Sequence, residues 1–266
     1  MLRALRTERG WTVEQVAERL LVSPSKVSRL ETGHRGASQR DIRDLCDLYA
    51  VAHDQRQVLA ELAAEGKERA WWQPFRLPYP TYVGLEADAA HIRDFALSIV
   101  PGLLQTAEYA RVIILAHQPQ QPADVVDQRV QARLERQDRL LGGDSPTFSA
   151  VLDESVLHRI VGSHAIMRQQ LQRLLEASLL PNVSIRVVPF SAGALPAGNN
   201  KFIILNFASP AVSDVVYLES MTDEVILERE SDLEVYNHAY KTLSEMAASP
   251  EDTRGMIRSL AEGYAQ

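Results

Sequence analysis

Residues 10–33 carry the sequence GWTVEQVAERLLVSPSKVSRLETG, and this stretch decides the fold of the first part of the chain. Thr12 followed by Gln15 matches a capping box, in which a hydroxyl and an amide satisfy free backbone donors at a helix start. Ser23 provides a second helix cap, and Pro24 follows at the first helical position, where its missing N–H costs nothing. The stretch therefore predicts two short helices that are joined by a tight turn and cross at a steep angle.

The second of these helices has a polar and basic outer face. Val27 and Leu30 have the spacing of core residues, so four polar side chains remain outside: Ser25, Lys26, Ser28 and Arg29. An arginine can donate two hydrogen bonds to guanine in the major groove of DNA, and a serine can bond several base edges. This face indicates a helix that enters the major groove.

Residues 10–33 also resemble the Xre or Cro/CI-type DNA-binding domain of phage-repressor-like regulators, in their caps, their spacing and the ending Ser-Arg-Leu-Glu-Thr-Gly. This resemblance implies an N-terminal all-α, lambda-repressor-like helix-turn-helix domain, and it implies that Glu31 holds the domain together. The base-contacting residues that it implies are Pro24, Ser25 and Arg29. The phosphate-contacting residues that it implies are Thr12, Lys26, Ser28, His34 and Arg35.

Two residues depart from this family pattern. Val13 stands where a phosphate-binding glutamine is common, and Leu21 stands where the turn usually has a glycine. The departures affect the map of DNA contacts more than the fold, because glycine is preferred and not required at a left-handed residue. A small helical bundle that binds protein is the alternative function for this region.

Charge is distributed unevenly along the 266 residues. The net charge is -7, but residues 1–43 contain nine Arg or Lys and five Asp or Glu, a balance of +4, so the remainder carries -11. A basic first domain followed by an acidic second domain suits a protein that binds phosphates at one end only.

The composition is that of a globular protein that is long enough for two domains. Hydrophobic residues make up 45% and charged residues 24%, which argues against wholesale disorder. No apolar run approaches the roughly 18 residues of a membrane span, so we expect a cytoplasmic protein. Cys46 is the only cysteine. It is predicted to be a core residue, and there is no internal disulfide.

The predicted domain junction is residues 71–80, WWQPFRLPYP, because three prolines and four aromatic residues interrupt any helix there. A DNA-binding domain is predicted over residues 1–70, and a regulatory or dimerisation domain over residues 81–266. The aromatic residues of the junction are predicted to pack between domains or subunits, with a ligand site or another regulatory or partner surface as the alternative. They are Trp71, Trp72 and Phe75.

The second domain alternates helical and β-rich segments. Helices are predicted over residues 85–100, 106–117, 124–141, 153–161, 164–179, 232–246 and 252–265. Strands are predicted over residues 148–152, 183–188, 201–207, 212–219 and 225–227. This mixture predicts an α+β domain with a small mixed or antiparallel sheet.

Several strings in the second domain carry a further resemblance. The most specific is PGLLQT at residues 101–106, and others are YVGLE at 82–86, VVPF at 187–190 and VYLE at 216–219. These strings are similar to the C-terminal domain of WhiJ-like actinobacterial regulators. The resemblance implies an antitoxin-like protein that works with a small cognate protein encoded nearby.

The sequence offers no arrangement of side chains for catalysis or metal binding. His158 and His164 lie six residues apart with Gly162 between them, a spacing that does not place both rings on one helical face for zinc. Asp153 and Glu154 are neighbours in sequence, so their carboxyl groups point apart. We therefore expect no enzyme activity, no metal site and no cofactor.

The loop at residues 189–200 is a candidate second functional surface, because it is long for a connection between strands. A plain surface connection is the alternative. The candidate residues in this loop are Phe190, Gly193, Gly198 and Asn199.

These features predict a homodimer that binds a pseudo-palindromic operator in double-stranded DNA, with the third helix in the major groove and the second domain as regulatory input. Two alternatives stay open at the level of the sequence. One is an antitoxin-like interaction module that binds a small protein and uses DNA binding mainly for autoregulation. The other is a repressor that senses a small molecule.

Overall fold

In this computed structural model the chain folds into two compact units, Met1–Gly84 and Leu85–Gln266. The structure describes residues 1–31, 36–65, 72–75, 77–142, 145–198, 200–209, 212–220 and 223–264. No helix within these ranges combines the length and the apolar character that crossing a membrane requires.

Short capped helices form the first unit. They are α1 (Leu2–Glu8), α2 (Val13–Arg19), α3 (Pro24–Glu31), α4 (Gln39–Leu48) and α5 (His53–Glu65). The predicted caps at Thr12 and Ser23 are confirmed, because each hydroxyl accepts a backbone N–H from three residues further on, at 3.3 and 3.2 Å, and Ser38 caps α4 in the same way at 3.1 Å. Each cap satisfies a donor that the helix itself leaves free.

The core of the first unit buries one face of α2, α3 and α4. Val16 and Val27 are almost fully buried, and they share an apolar cluster with Ile42, Cys46 and Tyr49. Cys46 is therefore the buried residue that the sequence predicted. The packing fixes which face of α3 remains at the surface.

Leu21 in the turn between α2 and α3 has a left-handed backbone, with φ at 52°. Its side chain is 93% exposed, so it gains almost nothing from packing. A residue with a Cβ loses roughly 1–2 kcal/mol in this conformation. The turn therefore has the left-handed backbone conformation that glycine usually adopts, although leucine occupies the position.

The second unit is built on a mixed sheet, with six strands in its described residues and the order β3-β2-β1-β4-β5-β6. The strands are β1 (His91–Ala96), β2 (Thr147–Asp153), β3 (Val183–Val188), β4 (Phe202–Asn206), β5 (Val215–Glu219) and β6 (Glu224–Leu227). β1, β2 and β3 run parallel to one another, whereas β4, β5 and β6 are antiparallel to their neighbours. The predicted α+β fold with a mixed sheet is confirmed.

The second unit also contains helices. They are α6 (Pro80–Asp88), which begins before the boundary between the units, α7 (Ala107–His117), α8 (Ala123–Gln137), α9 (Ser155–His158), α10 (His164–Ala177), α11 (Glu230–Met246) and α12 (Pro250–Gly263). On one face of the sheet, Tyr240 and Leu243 of α11 are buried in a cluster with Phe95, Phe202 and Val216. This cluster anchors α11 to the sheet.

The predicted helix over residues 85–100 is wrong. The helix ends at Asp88, and β1 follows as a strand between β2 and β4. Ile92, Phe95 and Ala96 are all buried, because β1 lies inside the sheet and both of its faces are covered. Such a strand lacks the alternation of apolar and polar residues that marks a half-exposed strand, and its apolar residues matched helical spacing instead.

The predicted helix over residues 153–161 is mostly wrong as well. Asp153 pairs with Val188 as the last residue of β2, and its carboxylate accepts the Ser155 N–H at 2.9 Å. The helix therefore begins only at Ser155, and it ends at His158 because Arg159 is already extended.

Candidate nucleic-acid interface

The surface of α3 is divided as the sequence predicted, except at Lys26, which is half-buried. Val27 and Leu30 are buried in the core, while Pro24, Ser25 and Arg29 are exposed. Ser28 is also exposed. A helix with one buried and one polar face, held across a preceding short helix, can present side chains to a DNA groove.

Ser25 and Arg29, the two residues predicted to contact bases with their side chains, lie together. The Arg29 Nε donates to the Ser25 carbonyl oxygen at 3.1 Å, and its Nη2 donates to the Ser25 hydroxyl at 3.4 Å. Both bonds lie in an exposed region, where they contribute little because water competes for the same groups. The guanidinium can therefore exchange these bonds for the edge of a base.

Thr12 is exposed at the start of α2, where it is used as a cap. Its hydroxyl accepts the Gln15 N–H, and its own N–H donates to the Gln15 Oε1 at 2.9 Å. A phosphate contact from Thr12 stays a prediction, as does one from Ser28. His34 and Arg35, the other two predicted phosphate contacts besides Lys26, lie outside the described residues.

Lys26 has a partner that the sequence analysis missed. Its Nζ lies 2.5 Å from the Asp41 Oδ1 in the first turn of α4, and the two side chains are 24% and 13% exposed. The lysine is half-buried between two helices, unlike Ser25 and Arg29 on either side of it.

Glu31 stabilises the first unit, as the family resemblance implied. Its two carboxylate oxygens accept from the Arg6 Nε at 2.7 Å and from the Arg6 Nη2 at 2.9 Å, and the Arg6 Nη1 donates to the Trp11 carbonyl at 2.8 Å. The hydrogen bond to Glu31 raises the pKa of Arg6 above its ordinary value, although burial acts in the opposite direction. This bidentate pair ties α1 to the end of α3.

The loop at residues 189–200 is held near its start by Phe190. The Phe190 N–H donates to the Glu154 Oε2 at 2.6 Å, and its ring lies 5.7 Å from the ring of His158. The Phe190 side chain is 59% exposed. Gly193 and Gly198 have φ at 80° and 56°, conformations that suit glycine. A partner surface here stays a prediction, and Asn199 lies outside the described residues.

Trp72 and Phe75 of the predicted junction are partly buried. The Trp72 ring lies against Gly84, where an added Cβ would meet the ring at 3.2 Å. Packing was the favoured interpretation for this tryptophan, and the contact with Gly84 agrees with it. Trp71 lies outside the described residues.

The string PGLLQT forms the centre of a buried amide network. The Gln137 Nε2 donates to the carbonyl oxygens of Gly102 and Gln105 at 3.1 and 2.7 Å, and the Gln170 Nε2 donates to that of Leu104 at 2.7 Å. The Gln105 Nε2 donates to the Val100 carbonyl at 2.6 Å. All three glutamines are buried, so the string is a structural element of the second unit.

Two charged features lie inside the second unit. Arg136 and Glu86 form a bidentate pair at 2.7 and 2.6 Å, with side chains only 6% and 4% exposed. Asp94 on β1 is 9% exposed, and burial raises its pKa to about 7, although the charge of Lys201 acts to lower it. Within the described ranges, no group of three or more His, Cys, Asp or Glu side chains could hold a metal ion.

Comparison with known families agrees with the division into two units. Residues 1–59 match the family model of a helix-turn-helix domain. The first unit therefore contains a helix-turn-helix domain, a kind of domain found in DNA-binding regulators. Residues 79–259 match a family described as a domain of unknown function, DUF5753, and the chain belongs to this family. Neither a curated protein nor a solved structure matches the chain.

Proposed function

We propose that this protein is a sequence-specific transcriptional regulator that places α3 in the major groove of double-stranded DNA. One observation carries the proposal. A single exposed turn of α3 presents Ser25 and Arg29 side by side, while Val27 and Leu30 hold the opposite face in the core. Serine and arginine are side chains that bond base edges in the major groove, and arginine favours guanine.

The proposal includes a cytoplasmic homodimer. One short helix such as α3 covers only a few base pairs, whereas two copies bind half-sites about 34 Å apart, or one helical turn of DNA. In this proposal the DUF5753 domain supplies dimerisation and control by a partner protein or effector, and it performs no catalysis. The WhiJ-like relationship, the antitoxin-like role and small-molecule sensing stay predictions from the sequence.

The first test is binding of the full chain to a labelled duplex from upstream of its own gene, with random-sequence DNA as competitor. The salt concentration is varied from about 50 to 200 mM, because each phosphate contact contributes to the salt dependence of the affinity. We expect binding that weakens steeply with salt and survives the competitor. Equal and weak binding to both DNAs would contradict the proposal.

Arg29→Ala tests the residue that the proposal depends on most. We expect a loss of about 1–3 kcal/mol on the specific duplex and a loss of discrimination at one base pair. Arg29→Lys is the matched variant, because it keeps the charge and loses the planar, two-pronged donor. If Arg29→Ala weakens binding to every sequence by the same factor, Arg29 does not contact a base.

A further inference from the structure

The ammonium of Lys26 is directed toward α4, although the residue lies on the recognition helix. The Nζ contacts the Asp41 Oδ1 at 2.5 Å, and both residues are half-buried. Ser25 next to Lys26 and Arg29 one turn later are exposed. The ion pair therefore joins the first turn of the proposed recognition helix to the first turn of the next helix.

The Asp41 carboxylate is saturated with donors. Besides Lys26, its Oδ2 accepts the Ser38 N–H at 3.0 Å and the Ser38 hydroxyl at 2.6 Å. Burial acts to raise the pKa of Asp41, but the hydrogen bonds from Lys26 and Ser38 outweigh it and hold the pKa at about 2. Asp41 is therefore ionised at every pH at which DNA binding is measured.

We propose that Lys26 is a positioning residue for DNA recognition and does not contact a phosphate. Its ion pair with Asp41 fixes the direction of α3, and so fixes where Ser25 and Arg29 point. The inference rests on the proposed function, since it concerns how that function's recognition helix is held. A phosphate could capture Lys26 only by taking the cation from the half-buried Asp41 carboxylate, which would then keep only its hydrogen bonds from Ser38.

The two roles predict opposite effects for Asp41→Asn. Asparagine can still accept from Ser38 at the start of α4, but it cannot form the ion pair. If Lys26 is a positioning residue, the variant lets α3 shift and weakens specific binding. If Lys26 is a phosphate contact, the variant releases its ammonium, removes a negative charge beside the DNA and strengthens binding.

The experiment measures the affinity of the full chain for a duplex that the wild-type protein selects from a random library, across a salt series. The variants are Lys26→Met, Asp41→Asn and the double variant. Asp44→Asn is the matched control, because it removes a carboxylate from α4 whose contacts are with Arg40 and Arg43 at 3.5 and 3.6 Å and do not involve α3.

We expect each single variant to weaken binding by about tenfold, with the double variant no weaker than either, because the residues act as one unit. The slope of log affinity against log salt should stay at the wild-type value, and Asp44→Asn should not weaken binding. Two results together would overturn the proposal. In Lys26→Met the slope of log affinity against log salt would be smaller by about 0.9, and Asp41→Asn would bind DNA more tightly than the wild type.

Two further measurements keep these outcomes distinct. If Lys26→Met does not fold by circular dichroism, Asp41→Asn decides the question, since the two roles predict opposite changes in its affinity. The selection step with the wild-type protein tests the proposed function separately from the positioning role of Lys26. If the wild-type protein enriches no sequence, the proposed function fails. If the wild-type protein binds specifically but Lys26→Met lowers the salt slope and Asp41→Asn binds more tightly, only the positioning role fails.

Discussion

Replacing Asp94 by Asn is expected to stabilise the second unit at neutral and alkaline pH but not in acid. Burial raises the pKa of Asp94 from 3.8 to about 7 in the folded protein, so the folded state holds its proton more tightly than the unfolded chain does. Stability is therefore lost as the pH rises from about 4 to about 7, and no more is lost above that range. Asparagine has no proton to lose and avoids this loss.

The magnitude follows from the difference between the two pKa values. At about 1.4 kcal/mol per pKa unit, the change from 3.8 to about 7 corresponds to at most about 4 kcal/mol. We expect Asp94→Asn to be more stable than the wild type by about 2–4 kcal/mol at pH 8, and by much less at pH 4.

Urea unfolding at several pH values measures this difference. All three tryptophans, Trp11, Trp71 and Trp72, precede residue 85. Trp11 packs against the core of the first unit, so its emission follows the unfolding of that unit, while far-UV circular dichroism also includes the second unit. The two signals therefore separate the unfolding of the second unit, which Asp94 affects, from the unfolding of the first unit, which it does not affect.

Asp138→Asn is the control for Asp94→Asn, because Asp138 is an exposed acid in the same unit. It should change stability little, because an exposed side chain gains little from its surroundings. A constant stability difference between Asp94→Asn and the wild type from pH 4 to pH 8 would refute the argument. So would a variant that is less stable at pH 8, since either result means that Asp94 does not titrate as a buried acid.

Three other substitutions test particular contacts by the same unfolding assay. Arg136→Met should cost about 3 kcal/mol or more, because it leaves the carboxylate of Glu86 buried without its cation. Leu21→Gly should stabilise the first unit by roughly 1 kcal/mol, since the φ of 52° no longer costs energy and the exposed side chain loses no packing. Gly162→Ala should destabilise the second unit by about 2 kcal/mol, because its φ is 74° and a Cβ would lie 2.8 Å from the Ile166 Cδ1.

Each of these three substitutions has a control variant at the same residue or at a residue in contact with it. Glu86→Gln combined with Arg136→Met should cost less than the sum of the two single variants, and strict additivity would argue against coupling. Leu21→Ala keeps a Cβ, so a gain equal to that of Leu21→Gly would exclude the backbone explanation. Ile166→Val removes the Cδ1 that a new Cβ at Gly162 would meet, and it should recover part of the loss.

The first unit could be predicted well from the sequence because its signals are local. The caps at Thr12, Ser23 and Ser38 each lie within three residues of the backbone donor that they satisfy. The partner of Lys26 could not be predicted in this way. Asp41 lies fifteen residues further on and on another helix, so only the packing of α3 against α4 brings the pair together.

The second unit was harder to predict from the sequence because its central strand and several of its polar side chains are buried. β1 has no alternating pattern, so its residues were assigned to a helix together with those of α6. Gln105, Gln137 and Gln170 would ordinarily be assigned to the surface, yet all three are buried. PGLLQT was the most specific string of the family resemblance, but the sequence alone does not show that glutamine side chains donate hydrogen bonds to its backbone.

The amide network around residues 101–106 has a consequence for how solution conditions act on the protein. Glutamine side chains carry no charge, so the hydrogen bonds from Gln105, Gln137 and Gln170 neither titrate nor weaken with ionic strength as ion pairs do. Contacts between α3 and phosphates, in contrast, would be lost as salt rises. An increase in salt that removes the protein from DNA should therefore leave the interior of its second unit unchanged, and it should still be folded when it returns to low salt.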